Sequence, residues 1–319
     1  MYVFIVNPIA GNGKSKKIFS KIRKTELFKE INETVYYTKY DGHAEEIAAN
    51  LINLNQRKVE AIIVISGDGT LHEVINGLSN DTNIPVAFIP GGSGNDFARG
   101  VQLGRNPIRI FHEIIKNREA SPYWLGTYKI DEKRQHFVNS IGFGFDAAVA
   151  KRANESSMKK FLNKLHLGQL SYLSALISVL FRFQFFNVEL EIDGKKRRYN
   201  RCFMVLVGNH PYLGGGLKIL PEAKVQPDKF SILMIHSVSK LKVLGVFLTV
   251  LWGGHVNFSE VTVVEAEKLK IISNKQLDYQ VDGETDKIAP LQSCTIVKKT
   301  YPIHILGTER EESEIKKIS

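Results

Sequence analysis

Val59 to Leu78 reads VEAIIVISGDGTLHEVINGL, a β-branched apolar run that stops in Ser-Gly-Asp-Gly-Thr and turns at once into an amphipathic segment. A strand that passes into a helix through a glycine turn is one step of a parallel sheet covered by helices, because parallel neighbours need a crossover between them. The step recurs along the chain. YVFIVN precedes a basic amphipathic stretch, ETVYYTK precedes GHAEEIAANLINL, and PVAFIP precedes NDFARGV and IRIFHEIIKNR, so the sequence up to about Arg118 reads as α/β. Ligands of such sheets bind at the carboxyl ends of the strands. Three of those ends carry distinctive loops, NPIAGNGKS, SGDGT and PGGSGND.

From about Gly126 the pattern becomes alternating strands with turn punctuation: TYKID, QHFVNSIGFG, VELEIDGKKRRY, RCFMVLVGN, FSILMIHSV, VTVVEAEKLKII, LDYQVDGETDK and CTIVKKTYPIHIL. Two helical patterns interrupt it, near 160–181 and 241–252. The expectation is an α/β fold in two parts: a Rossmann-like parallel-sheet domain over 1–126 and a β-rich, sandwich-like domain over 127–300. A polar tail, 301–319, is expected to pack back on the first domain. A chain of 319 residues is long enough for two cores of ordinary size.

The formal net charge of +10 favours an anionic partner: nucleic acid, an anionic membrane surface or a phosphorylated substrate. The basic clusters KKIFSKIRK (16–24), KRANESSMKK (151–160) and KKRRYNR (195–201) lack paired RNA-binding aromatics and zinc-finger spacing, so nucleic acid is not expected. Each cluster also reads as a solvated basic face. Cys202 and Cys294 have no His or Cys at metal-ligand spacing and are too few for a disulfide framework, which favours a reducing, cytoplasmic compartment. MYVFIVNP reads as a first strand rather than a signal peptide. The longest apolar runs, 170–181 and 243–252, fall well short of the roughly 20 residues that span a bilayer.

GNGKS at 11–15 suggests a phosphate-binding P-loop, but that motif needs a glycine where Pro8 stands. What remains is an Asn-Pro-x-x-Gly turn whose backbone can still face a phosphate. In the second loop Gly67 and Gly69 permit close backbone approach, and Thr70 with Glu73 has the spacing of a capping box. The helix start beyond is a natural seat for an anion. Asp68 in that turn would repel a phosphate unless a divalent cation lay between them, so the combination reads as a metal–nucleotide site. The third loop repeats the logic: Gly91, Gly92 and Gly94 loosen the chain, and Ser93 with Asp96 resembles a second cap. Either loop alone is an ordinary strand-to-helix turn. Together on adjacent strand ends they point to a ligand.

In order, NPIAG (7–11), SGDGTLHEVINGL (66–78), PGGSGNDFAR (90–99), YLGGGLKILPEAKVQPD (212–228) and VDGE (281–284) resemble the signature of the diacylglycerol kinase catalytic-domain lipid kinases. That family includes bacterial lipid kinases and the sphingosine and ceramide kinases, and the resemblance covers nearly the whole chain. It implies that ATP is held by Asn7, Pro8, Ile9, Ala10, Gly11, Thr38, Ser66, Gly67, Asp68, Gly69, Thr70, Leu71, His72, Ser93 and Asn95. It further implies a magnesium and water network at Asp68 and Asp96, with Asp68 counted among the catalytic residues. Glu284 would be the general base toward a lipid hydroxyl, and Asp228 with the carbonyls of Val225 and Phe230 would hold a second, structural Mg2+. Bottom-up, Asp282-Gly283 is a hairpin turn like Asp193-Gly194, and Pro227-Asp228 is a common turn.

Two departures stand out. Ser66 replaces the first glycine of the Gly-Asp-Gly loop, bringing the ATP half closer to the sphingosine kinase branch. Trp124-Leu125-Gly126 stands where bacterial diacylglycerol kinases carry Asp-x-Gly, removing one carboxylate from the magnesium network. The reading is therefore an ATP- and Mg2+-dependent lipid kinase, cytoplasmic and peripheral on an anionic membrane surface, with a lipid alcohol entering between the domains and a homodimer open. Its rivals are a soluble-substrate kinase of the NAD kinase or phosphofructokinase type, whose families lack the ordered PGGSGND and VDGE, and a non-catalytic lipid- or nucleotide-binding protein, suggested by Trp124.

Overall fold

The computed structural model describes residues 1–53, 59–78, 83–154 and 179–308. It divides into two compact units, Met1–Tyr123 with Ile303–Ser319, and Trp124–Pro302. Most of the expected 160–181 helix and the tail beyond Thr308 lie outside the described residues.

In the first unit the strands are β1 (Tyr2–Val6), β2 (Glu33–Tyr37), β3 (Ala61–Ser66), β4 (Val86–Pro90) and β5 (Ala120–Tyr123). The helices are α1 (Ala10–Ile22), α2 (Glu26–Glu30), α3 (His43–Asn53), α4 (Asp68–Gly77), α5 (Asp96–Gly100) and α6 (Pro107–Asn117). β1 and β3 are buried at every residue, as their unbroken apolar runs require of strands covered on both faces. On one face Phe4 packs among Phe19, Phe28 and Phe111, drawn from α1, α2 and α6. The register pairs Val6 with Ile65 and Ser66 with Pro90, so the three glycine loops leave adjacent parallel strands side by side.

One run read as a single strand is two. In CTIVKKTYPIHIL the segment Ser293–Lys298 belongs to the second unit, while Ile303–Leu306 pairs parallel to β4 and antiparallel to β5. The first ladder ends at Lys298, with Lys299 N donating to the Leu125 carbonyl just beyond it, before Pro302 is reached.

The second unit holds β6 (Gly126–Ile130), β7 (Lys133–Phe137), β8 (Ser140–Gly144), β9 (Phe186–Ile192), β10 (Lys195–Gly208), β11 (Tyr212–Leu213), β12 (Leu217–Lys218), β13 (Phe230–His236), β14 (Val261–Ala266), β15 (Lys268–Ile272), β16 (Leu277–Val281), β17 (Glu284–Ile288) and β18 (Ser293–Lys298). The strand over Ile303–Leu306 is β19. QHFVNSIGFG and VTVVEAEKLKII, each expected as one strand, are each two. Apart from the small β11–β12 pair, these strands form one antiparallel sheet in the order β17-β16-β8-β10-β9-β15-β18-β6-β7, with β13 and β14 joined beside β10. One core, including Phe137, Phe143, Leu190, Val205, Phe230 and Ile296, draws on strands from both ends of that order. A register shift between Cys202 and Met204 resets the alternation in β10, so Phe203 and Leu206 face a second core under α7 (Phe145–Asn154) and α8 (Lys240–Val250). Among the described residues no helix is long and apolar enough to cross a membrane.

Candidate active site

The three loops of the first unit lock together through their glycines. Gly11, Asn12 and Gly13 have φ of 58°, 57° and 81°, so the regular part of α1 begins only at Lys14. A Cβ on Gly11 would lie 2.1 Å from the Gly91 carbonyl oxygen, one on Gly91 2.2 Å from Ser15 Oγ, and one on Gly92 2.4 Å from Gly67 Cα. The N–H groups of Gly91 and Gly92 both donate to the Ser66 carbonyl, at 2.7 and 3.0 Å. Gly92→Ala is expected to destabilise the protein by about 1–3 kcal/mol, because the backbone on both sides must give way. Urea unfolding measures it, and an unchanged midpoint would refute the packing.

Thr70 is the hub of the first two loops. Its Oγ1 takes the hydroxyl hydrogen of Ser66 at 2.8 Å and Nδ2–H of Asn7 at 3.2 Å, and Asn7 Oδ1 accepts from Ile9 N at 3.2 Å. The expected capping box is absent: α4 starts at Asp68, Gly67 is its N-cap, and Glu73 Oε2 instead accepts from Ala44 N of α3. The cap expected of Ser93 is also absent. Ser93 is exposed, and Asn95 holds the loop by exchanging hydrogen bonds with Gly92, at 3.0 and 2.9 Å.

Asp68 supplies that cap from a distance. Its two carboxylate oxygens accept from the N–H groups of Asp96 and Phe97, each at 3.0 Å, tying the second loop to the first turn of α5. Asp96 is buried and pairs with Arg99 at 3.2 Å. Thr38 closes the row, buried at the end of β2 with its N–H on Val6 O at 3.0 Å. Leu71 and His72 are buried in the first turns of α4, Pro8 is half-buried, and Ile9 is 78% exposed.

These residues fit a magnesium–nucleotide group. The left-handed turn Gly11–Gly13 brings the backbone close to the strand end, and a Cβ on Gly13 would meet nothing within 4 Å, so the loop has room beside it. Ser15 Oγ is buried with no hydrogen-bond partner among the described residues. A carboxylate that accepts two N–H bonds retains lone pairs, and magnesium is commonly bound through one or two carboxylates plus phosphate and water. Among the described residues no three His, Cys, Asp or Glu side chains gather as an all-protein metal centre would require.

In the second unit Asp282 and Gly283 have φ of 49° and 97°, a type I′ hairpin between β16 and β17, and Asp193-Gly194 at 46° and 79° is built alike. Each aspartate reaches a neighbouring strand. Asp282 accepts from Val138, Asn139 and Ser140 N at 2.7, 2.7 and 3.0 Å, whereas Asp193 accepts from Glu267 and Lys268 N. Gln280, buried, accepts from Gly283 N at 2.8 Å and donates to Asp146 Oδ2 at 2.7 Å. Glu284 follows, exposed at the start of β17.

Asp146 was not anticipated from the sequence. It is buried at the start of α7, beside a cavity of about 10 Å³ otherwise lined by Phe145, Met204, Leu213, Leu217, Ile219 and Phe247. Burial raises its carboxyl to about 6, partly countered by the Gln280 hydrogen bond. Its signal was the one acidic residue directly after the apolar IGFGF.

A second buried polar group surrounds Lys298, whose ammonium donates to Asn209 Oδ1 at 2.7 Å and to the Trp124 carbonyl at 3.3 Å. Burial lowers its pKa to about 8, against the charge of Asp228. His210, lowered to about 4 by burial, is neutral; Tyr212 N donates to Nδ1, so Nε2 carries the proton toward Asn139 Oδ1 at 2.8 Å. Asp228 is exposed just before β13, Val225 is half-buried, and Phe230 opens β13 with its side chain in the core.

Comparisons with known proteins agree with this division. The diacylglycerol kinase catalytic domain matches residues 1–126, and the YegS C-terminal NAD kinase beta sandwich-like domain matches residues 139–304. A Bacillus subtilis protein named "Putative lipid kinase YtlR" is 29% identical over 91% of this chain and 95% of its own. The diacylglycerol kinase of the same organism is 27% identical over 98% and 97%. A Bacillus anthracis crystal structure, described as "a putative diacylglycerol kinase", superposes with a TM-score of 0.73 at 23% identity, covering 96% of this chain and 94% of that one. An Archaeoglobus fulgidus NAD kinase solved with ATP shares the fold at a TM-score of 0.55 and 14% identity, covering 100% and 97%. The glycine-locked loops on a parallel sheet and the β-rich unit that follows are those of one kinase family, and the chain belongs to the diacylglycerol kinase catalytic-domain family.

Proposed function

We propose that this protein is an ATP- and magnesium-dependent lipid kinase, which transfers the γ-phosphoryl group of ATP to a lipid hydroxyl and releases ADP and a proton. The observation that carries the reading is the hydrogen-bonded cluster of Asn7, Ser66, Thr70, Asp68 and the start of α5 at three adjacent strand ends. Bound there, magnesium would neutralise phosphate charge, held through Asp68 and Asp96. The turn Asn7–Gly13 orients the phosphates, and Ser93 and Asn95 close the site from the third loop. Glu284 takes the proton of the acceptor hydroxyl. Catalysis is mainly positioning and charge neutralisation, as phosphoryl transfer generally is.

A lipid acceptor is supported by the names of the Bacillus subtilis relatives and by the apolar surroundings of Asp146, one carboxylate among aromatic and aliphatic side chains. Asp228 with the Val225 and Phe230 carbonyls is proposed as a structural magnesium site. In place of the family aspartate, the Trp124 carbonyl accepts from Lys298, so a cation is held at this position by neutral oxygens.

Transfer of radiolabel from ATP to a lipid extract, with mass-spectrometric identification of the product, tests the reading. Asp68→Asn is expected to abolish transfer while unfolding cooperatively within about 2 kcal/mol of the parent, the upper range for a weakened helix cap. Normal turnover by that variant would remove Asp68 from the site. Label in a water-soluble product would favour a soluble-substrate kinase, and ATP binding without transfer a non-catalytic protein.

A further inference from the structure

We propose that the outward face of α8 inserts into the surface of an anionic phospholipid bilayer. Beyond its first turn the helix, KLKVLGVFLTV with Leu251 and Trp252 following, has Thr249 as its one polar side chain. One side is accounted for: Val243, Val246 and Val250 are buried against the second core, and Phe247 lines the Asp146 cavity. The other side is not. Leu241 is 75% exposed and Leu248 64%, seven residues apart and so on one stripe of the helix, and Leu251 and Trp252, 67% each, follow directly after its last turn. Phe181 adjoins that stripe, its carbonyl accepting from Lys240 Nζ at 2.6 Å, and is itself exposed. Five of the eleven large exposed apolar side chains among the described residues therefore gather here, and clustered exposure of this kind marks an interaction surface.

The charges around the stripe select the occupant. No acidic residue occurs from Ser239 to Ser259, and Arg182 and Lys240 stand at the Phe181 end, where Lys242 is paired with Glu260. A second copy of the chain would bring two basic rims together, whereas anionic headgroups complement them. The tryptophan at the end of an aliphatic stripe matches the interfacial depth at which indole rings settle. A bilayer partner rests on the lipid-kinase reading only in that such an acceptor resides in one. This mode differs from purely electrostatic docking, which salt would abolish.

The test uses the full chain without nucleotide and vesicles of phosphatidylcholine with increasing phosphatidylglycerol. Sedimentation should show binding that rises with phosphatidylglycerol and persists in part at 1 M salt. In a Trp124→Phe background, Trp252 fluorescence should shift to the blue on vesicles. The double variant Leu248→Gln, Leu251→Gln should bind about tenfold more weakly or less, while melting like its parent. Unchanged vesicle binding by that variant, or no fluorescence shift, would overturn the proposal. So would a concentration-dependent dimer that the variant loses, or a melting temperature lowered by several degrees, which would mean that protein already covers the face. Vesicle binding through α8 with no phosphoryl transfer would leave this proposal standing and defeat the kinase reading alone.

Discussion

Glu284→Gln is expected to lower turnover by roughly 10²–10⁴-fold and leave ATP affinity nearly unchanged, the range and signature of a lost general base. A lipid hydroxyl has a pKa far above neutrality, so its proton needs a carboxylate within about 2.6–3.2 Å as the phosphoryl group arrives. The turn that carries Glu284 is held from two sides, by Asp282 on three N–H groups and by Gln280 on Gly283, so a change at the exposed side chain leaves the turn in place. Glu191 provides the control. It lies two residues before the similarly built Asp193-Gly194 turn and pairs with Lys196 at 4.0 Å on the surface, so Glu191→Gln should have little effect. Steady-state kinetics on both variants decide the matter, and equal harmlessness with lipid still phosphorylated would exclude Glu284.

Asp146→Asn should make the protein more stable at neutral pH. Burial raises the carboxyl from 3.8 to about 6, so the folded state binds this proton more tightly than the unfolded chain does. The stability contributed by the protonated form is complete below pH 3.8 and is lost as the pH rises through about 6. A shift of about two units corresponds to roughly 3 kcal/mol forgone above pH 6, and the substituted amide keeps an oxygen for Gln280. Thermal unfolding at pH 8 should therefore favour the variant, with the advantage fading toward pH 4. An equal gain at both pH values, or a loss at pH 8, would contradict the assignment. A carboxylate kept at such a cost is a candidate for function, and the stabilised variant is expected to turn over more slowly.

The fold was legible where local pattern and burial agree. AIIVIS and YVFIV are continuous apolar runs, and both strands are buried at every residue, as a sheet covered on both faces requires. In QHFVNSIGFG and VTVVEAEKLKII the strand boundary was missed because the turn carries no glycine or proline signal: Val138-Asn139 separates β7 from β8 with its N–H groups taken by Asp282, a residue more than 140 positions away. The helix caps failed for the same reason. Thr70 and Ser93 have the local spacing, but Thr70 is drawn to Asn7 and Ser66, and the α5 start is served by Asp68 from another loop. Asn7, Asp68 and the glycines stand out in the sequence because they belong to short motifs. Gln280 and Lys298 do not, since what makes them unusual is the company that long-range pairing gives them, and Asp146 offers only its place after the apolar IGFGF.

The placement of β19 between β4 and β5 fixes the order in which the chain can be finished during synthesis. Trp124–Pro302 is continuous and has all its strands once residue 302 has emerged. The first unit has a gap between its fourth and fifth strands until Ile303–Leu306, which follows the whole of the second unit in the chain, arrives. The glycine loops at the ends of β1, β3 and β4 thus belong to a sheet completed after the β-rich unit, and a ribosome that stops short of residue 303 releases the described strands of that unit complete and the parallel sheet unfinished.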